Sequence, residues 1–440
     1  MTQAYQSWGR YPRVQQEVVR LWSRHGPLRL ETGGGKTALP RGNGRSYGDS
    51  CLNDGGVLID ARGLDHFIAF DATEGVLRCE SGVLLADILK LVVPRGWFLA
   101  ATPGTQLVTV GGAIANDVHG KAHHQDGTFG RHVRRFELLR SDGSRLICSP
   151  DENPDWYRAT IGGLGLTGVI VWAEIALKPI ASPYIDAETI KCADLAEFFQ
   201  VSADSDTDYE YTVAWLDCTA RGGGLGRALF SRGNHAPAGS RASPAAPGRR
   251  LSFPFQPPVS LVNGLTLRAF NKLYYHRQRK RREKAIVHYE PFFYPLDAVR
   301  EWNRLYGPKG FFQYQCVVPK SDGQAAVREL LERVGYSGEG SFLAVMKEFG
   351  DIQSPGILSF PCSGVTLAVD FPNRGARTLA LMESLDSVVR EAGGRVYPAK
   401  DARMSAASFQ HYYPHWRQLV PFIDPVFSSS FWRRVTRELA

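Results

Sequence analysis

Residues 40–50 read Pro40-Arg41-Gly42-Asn43-Gly44-Arg45-Ser46-Tyr47-Gly48-Asp49-Ser50. About sixty residues later come Pro103-Gly104-Thr105 and then Val110-Gly111-Gly112-Ala113-Ile114-Ala115-Asn116. Glycine lets backbone N–H groups approach a phosphate closely, and successive amides in a tight loop form an anion-binding concavity. Ser46 adds a hydroxyl, and the run Gly111–Ala115 can open a helix whose N-terminus faces a pyrophosphate. Together the two loops point to a dinucleotide held in an extended pose.

A chain of 440 residues exceeds one ordinary core, so two domains, or three, are expected. Its 43% hydrophobic and 22% charged residues fit a soluble globular protein. No apolar run reaches the ~20 residues that span a bilayer. The first residues, Met-Thr-Gln-Ala-Tyr-Gln-Ser-Trp, lack the basic-then-apolar order of a signal peptide. Seven scattered cysteines without CxxC spacing argue against a disulfide framework and a zinc site, and favour a reducing compartment. A cytoplasmic location is therefore expected.

The net charge of +8 predicts an anionic partner. Much of the excess lies in Arg277-Gln278-Arg279-Lys280-Arg281-Arg282-Glu283-Lys284. Such a run is either a solvated basic helix face or a patch that meets lipid headgroups at the inner membrane face or a lipid phosphate. No helix-turn-helix, finger or RNP pattern accompanies it, so nucleic acid is not the expected partner.

Helical periodicity over 12–24 (Val14, Val18, Val19, Leu21, Trp22) predicts a helix stopped by Gly26-Pro27. Strands are predicted at 56–60, 67–71, 76–80 and 169–177, a helix over 84–93, and a hairpin turning near Asp142-Gly143. Pro179 and Pro183 mark a domain boundary. A second sheet is expected from 209–217, 225–231, 311–318, 342–347, 364–371 and 396–400, with helices over 324–334 and 377–391. Residues 233–258, rich in Pro, Ala, Ser, Gly and Arg, read as a mobile loop.

Three motifs fail on context. Gly33-Gly34-Gly35-Lys36-Thr37 resembles the end of a P-loop, but Leu30 sits where the first glycine belongs and Pro40 precludes the helix. Gly163-Leu164-Gly165-Leu166-Thr167-Gly168 matches the dinucleotide string but precedes a strand. His119, His123 and His124 lack an adjacent acidic or cysteine partner, so no metal is expected.

The strings PRGNGRSYGD (from residue 40), PGTQLVTVGGAIANDVHGKAHHQDGTFG (from 103) and GGLGLTGVI (from 162) resemble the FAD-linked oxidases of the vanillyl-alcohol oxidase superfamily. Within it, the chain resembles the decaprenylphosphoryl-β-D-ribose oxidase family. That likeness continues through YTVAWLDC, SRGNHAP, EWNRLYGPKGFFQYQCVVP, VMKEFG, VDFP and VYPAKDAR, so it covers nearly the whole chain.

The resemblance implies an α+β, two-domain fold. An FAD-binding domain from 1–181 would be completed by 395–440, with a substrate domain of antiparallel sheet and helices over 182–394. It implies an FAD site lined by Pro40 through Ser50, Gly104, Thr109, Val110, Gly111, Gly112, Asn116, Asp117, Val118, His119, Val169 and Tyr397. Many members tether the flavin through a histidine at the position of Arg45. A guanidinium cannot form that bond, so the FAD is expected to be non-covalent.

The activity implied is oxidation of a secondary hydroxyl on a polyprenyl-phosphate-linked pentose, the keto-sugar passing to a partner short-chain reductase. Lys400 matches the family's active-site lysine, placed to stabilise negative charge on the reduced flavin. His119, Tyr47, Lys121, Gln315 and Lys347 match further active-site positions that orient the sugar or contact its phosphate. Gln313 and Gln315 share one strand face, and Tyr314 takes the other. Ala368 departs from the family, which carries a cysteine there. Two alternatives stay open: a soluble sugar or polyol oxidase, such as an aldonolactone or alditol oxidase, and a non-enzymatic basic protein that binds anions or nucleic acid.

Overall fold

The computed structural model describes residues 5–28, 30, 35–241, 251–253 and 255–437. Its first sheet is parallel and three-stranded, in the order Glu17–Arg20, Val57–Asp60, Ala38–Arg41. The central strand is wholly buried, and Ala38–Arg41 delivers the chain directly into the first glycine-rich loop. The helix expected over 12–24 is not formed. Glu17–Arg20 pairs instead with Val57–Asp60, and Arg20 donates to the Asp60 carboxylate at 3.1 Å. Val18, Val19 and Trp22 are exposed and only Leu21 of the stripe is buried, so there is no apolar helix face to bury, and two β-branched residues beside an open sheet edge pair as a strand.

The second sheet is antiparallel and five-stranded: Phe67–Asp71, Val76–Glu80, Val169–Ala176, Val133–Leu139, Arg145–Cys148. Its edge strand Phe67–Asp71 alternates between exposed and half-buried, whereas the central Val169–Ala176 is almost continuously buried, as expected for a strand covered on both faces. Leu85–Val92 forms the expected helix. It ends through a short turn at Gly96, whose φ of 81° suits glycine at a helix C-terminus.

The third sheet is antiparallel and eight-stranded. Its order is Arg282–His288, Tyr184–Cys192, Ala228–His235, Tyr211–Leu216, Ala344–Phe349, Gly364–Pro372, Phe311–Pro319, Arg395–Val396. One face packs against the helices Leu195–Ala203, Gly323–Ser337 and Ala376–Glu391, merging Tyr314, Cys316, Leu367 and Val369 with Leu330, Val334, Leu385 and Val389 in one core. Period-2 alternation sends Gln313, Gln315, Thr366, Ala368 and Asp370 to the other face, where all five line a cavity.

Two expectations about the middle of the chain are corrected. Gly233–His235 ends a paired strand, because the Ala228–His235 backbone bonds to Tyr184–Cys192. Leu251–Ser252 pairs with Val299–Arg300. The loop expected over 233–258 is therefore shorter; its residues 242–250 and 254 lie outside the described residues. The basic run 277–284 is no helix face either. It holds the last residue of the Gly264–Arg277 helix, a turn, and the start of the outermost strand Arg282–His288. Gln278 ends the helix by turning its side chain onto the backbone carbonyls of Thr189, Lys280 and Arg281.

All seven cysteines are unpaired. No helix among the described residues is long and apolar enough to cross a membrane.

Candidate active site

A cavity of about 1350 Å³ runs between the two glycine-rich loops and the open face of the eight-stranded sheet. Pro40, Arg41, Gly42, Asn43, Gly44, Arg45, Ser46, Tyr47 and Ser50 line it from the first loop. Gly104, Thr109, Gly111, Gly112, Asn116, Val118 and His119 line it from the second, with Val169 and Tyr397 completing that end. Thr109 caps the short helix Val110–Ala115 by accepting from the Gly112 amide. Gly44 sits at φ 62°, and an added Cβ would overlap the Arg41 guanidinium. The Rossmann look-alike also reaches the cavity, through Leu164, Gly165 and Gly168, and a strand follows it as its sequence context requires.

Four expected cofactor residues stand behind the wall. Val110 is fully buried in the helix core. Asp117 is buried and accepts from the Gly130 amide, Ser354 and Ser359. Gly48 lies against Asp401, whose carbonyl an added Cβ would overlap. Asp49 takes a two-pronged bond from Arg434, at 2.7 and 2.9 Å, and Arg434 also reaches Asp401 at 2.9 Å. With Tyr47 N donating to Ala399 O at 2.9 Å, these contacts lock the first loop to the C-terminal segment that carries Lys400. The Gly48-Asp49 pair therefore positions the loop.

The expected catalytic residues all converge on the cavity. Lys400 Nζ lies 3.9 Å from the Tyr47 ring centroid. Lys347 Nζ donates to Gly120 O at 2.9 Å, and Lys121 Nζ to Phe293 O at 3.2 Å. Gln315 Nε2 donates to His119 Nε2 at 2.9 Å and sits 3.3 Å from Thr366 Oγ1. Burial lowers all three lysines, Lys121 to about 8 and Lys347 and Lys400 to about 7; for Lys347 the charges of Lys121 and Lys400 add to the effect. Burial also holds His119 well below the ordinary histidine value, reinforced by Lys347, His123 and Lys400. His119 is thus neutral, with Nε2 accepting from Gln315. His123 packs on the Phe349 ring, which His119 also meets edge-on, and His124 bonds to Tyr209 O.

A profile of an FAD binding domain matches residues 28–149. The decaprenylphosphoryl-β-D-ribose oxidase of Mycolicibacterium smegmatis is 38% identical over 418 residues, covering 91% of this chain and 90% of that protein. The chain belongs to this family of FAD-linked oxidases. An uncharacterized Streptomyces coelicolor protein is 34% identical over 80% of this chain and the whole of its own. Cytokinin dehydrogenase 6 of rice is 29% identical over only 32% of this chain and 28% of its own length. The protein is an FAD-dependent oxidoreductase.

The cavity suits FAD on its own evidence. Arg41 Nε, Arg45 Nε, Ser50 Oγ, Ser81 Oγ and His119 Nδ1 are buried without a protein partner, and all five residues line it. A ligand rich in phosphate, hydroxyl and carbonyl oxygens would satisfy these groups. Arg45 stacks on Trp8, its guanidinium carbon 4.2 Å from the ring centroid.

The residue-level reading missed Asp370. It accepts from Gln313 Nε2 at 2.7 Å and Tyr306 OH at 3.4 Å. Burial raises its carboxyl to about 7, against the pull of Gln313, Lys400 and Tyr306. Also missed were Ala187, Thr189, Val213, Trp215 and Ser231, which extend the cavity along the sheet. Alternation with Thr366 and Ala368 was the signal available for Asp370. None was available for the others, since strand pairing alone brings them to this face.

Proposed function

We propose that this protein oxidises a secondary hydroxyl of a pentose carried on a polyprenyl phosphate, giving a keto-sugar. The observation that carries this reading is the convergence of Lys121, Lys347 and Lys400 on one cavity that continues past them along an apolar wall. Those cations suit an anionic group, and Val213, Trp215, Leu343, Val345, Ala285 and Val287 beyond them suit a hydrocarbon chain. At about 1350 Å³, the cavity exceeds the range of roughly 300–1,000 Å³ usual for a single ligand, leaving room for a substrate beside the cofactor. The M. smegmatis relative, a decaprenylphosphoryl-β-D-ribose oxidase by name, supports the same substrate class.

Bound FAD supplies the acceptor for the hydride that leaves the carbinol carbon. Lys400 Nζ donates to the substrate oxygen, held in place by the Tyr47 ring. Asp370, whose carboxyl burial raises to about 7, takes up the hydroxyl proton as a carboxylate, and Lys400 stays protonated as the donor to the substrate oxygen. Lys121 and Lys347 hold the phosphate, and Gln315 fixes His119 in the tautomer whose Nδ1–H can face a ligand. A first domain of 1–181 with 395–440 and a second of 182–394 fit this division of labour. A partner short-chain reductase would return the keto-sugar as its epimer. A cytoplasmic protein touching the inner membrane face through residues 277–284 would meet such a lipid where it resides.

Turnover of a short-chain polyprenylphosphoryl ribose followed by borodeuteride trapping tests the chemistry. Deuterium at a single ring carbon, in both epimers, is expected. Unlabelled ribose after flavin turnover would refute keto-sugar formation.

A further inference from the structure

Six of the twelve large apolar side chains exposed among the described residues fall between positions 255 and 273: Phe255, Val259, Leu261, Leu265, Phe270 and Leu273. The Gly264–Arg277 helix sits on the sheet through Leu267, Asn271 and Tyr275. Asn271 bonds to Asp217 and Tyr275 to Cys192 O, so this side of the helix is fixed inward. Residues four apart share a helix face. Leu265, Ala269 and Leu273 therefore form an outward stripe, its leucines 80% and 73% exposed. Arg268, Lys272 and His276, also exposed, form the stripe beside it.

The segment 264–284 itself is strongly basic, with Arg281 in it paired to Glu197 at 2.5 Å. It holds eight Lys and Arg and a single acid, Glu283. The same helix also borders the cavity, since Tyr274 and Arg277 in its last turn line it together with Glu283 and Ala285 of the following strand.

We propose that the outer face of the Gly264–Arg277 helix docks on an anionic lipid bilayer. The helix lies in the interface plane with Leu265 and Leu273 inserted, and the cavity end at Tyr274 and Arg277 is held against the lipid. A leucine stripe beside a basic stripe is the composition of an interfacial helix. The surrounding cations gain from an anionic leaflet over a Debye length, whereas protein interfaces are depleted of lysine at their centres. The lipid class of the substrate rests on the function proposed above; the docking face stands on its own exposed leucines and charge.

The test is co-sedimentation of the full-length FAD-loaded protein with vesicles. One set is phosphatidylcholine alone, and the other contains about 30% phosphatidylglycerol, a charge density in the range of anionic leaflets. The protein is expected to sediment with the anionic vesicles and far less with the neutral ones. The paired substitution Leu265→Ser and Leu273→Ser should weaken binding about tenfold or more. Its fold and its oxidation of a short, water-soluble prenylphosphoryl ribose should match the parent's. Arg268→Gln with Lys272→Gln should weaken binding in low salt, and it carries the test if the serine pair does not fold.

Protein that stays in the supernatant with anionic vesicles overturns the proposal. So does sedimentation that the leucine substitutions leave unchanged, or a dimer abolished by them in a protein that ignores vesicles. Vesicle binding without turnover of the soluble substrate would instead refute the substrate reading and leave the docking face standing.

Discussion

Lys400 Nζ lies 3.9 Å from the centroid of the Tyr47 ring, on a segment stitched to Tyr47 by the bond from its amide to Ala399 O. The first cofactor loop therefore sets the position of the lysine. Lys400→Ala should keep its yellow colour and fold, because the locks at Asp49, Asp401 and Arg434 are untouched. Its flavin reduction by substrate, followed by anaerobic stopped flow, should fall on the order of a hundredfold or more. Reduction at the parent rate would remove Lys400 from the chemistry.

Asp370 raises the value of Lys400 while burial lowers it. Asp370→Asn removes that support, so Lys400 loses its proton at lower pH. If the protonated lysine is the active form, the alkaline fall of the reduction rate, near 7 in the parent, should move to lower pH. An unchanged limb would show that Lys400 is not the titrating group.

Lys347 titrates near 7 in the folded protein, below the ordinary 10.5. Between those values the unfolded chain holds a proton that the folded chain has released, so this group's contribution to stability rises with pH across that window. Without substrate, Lys347→Met should melt above the parent at pH 7 by about 2 °C or more, and the gap should close toward pH 10. A constant gap in thermal scans would show that the lysine is not desolvated.

Arg45, where the family resemblance implies a flavin-linking histidine, stacks its guanidinium on the Trp8 ring, and a guanidinium cannot form that link. Acid precipitation should release all the flavin to the supernatant. Colour retained by the pellet would mean a covalent link through another residue.

Much of this was legible in the sequence because the informative elements are local. The glycine loops, the Asp142-Gly143 hairpin and the Phe311–Pro319 strand with its Gln313/Gln315 face are each readable from neighbours in the chain. The failures share a cause. Glu17–Arg20 becomes a strand only because Val57–Asp60 offers it an edge. Asp370 gains its role only from Tyr306, Gln313 and Lys400, which other elements bring to it. Gly48 and Asp49 belong to the cofactor motif, yet their contacts run to Asp401 and Arg434, some 350 residues and more further along.

The most direct measurement of the central claim is anaerobic bleaching of the bound flavin by a substrate panel. Polyprenylphosphoryl ribose should reduce it at micromolar concentration, and free aldonolactones and alditols, which lack both the phosphate and the hydrocarbon chain, should leave it yellow. Bleaching by an aldonolactone or an alditol with none by polyprenylphosphoryl ribose would contradict the account.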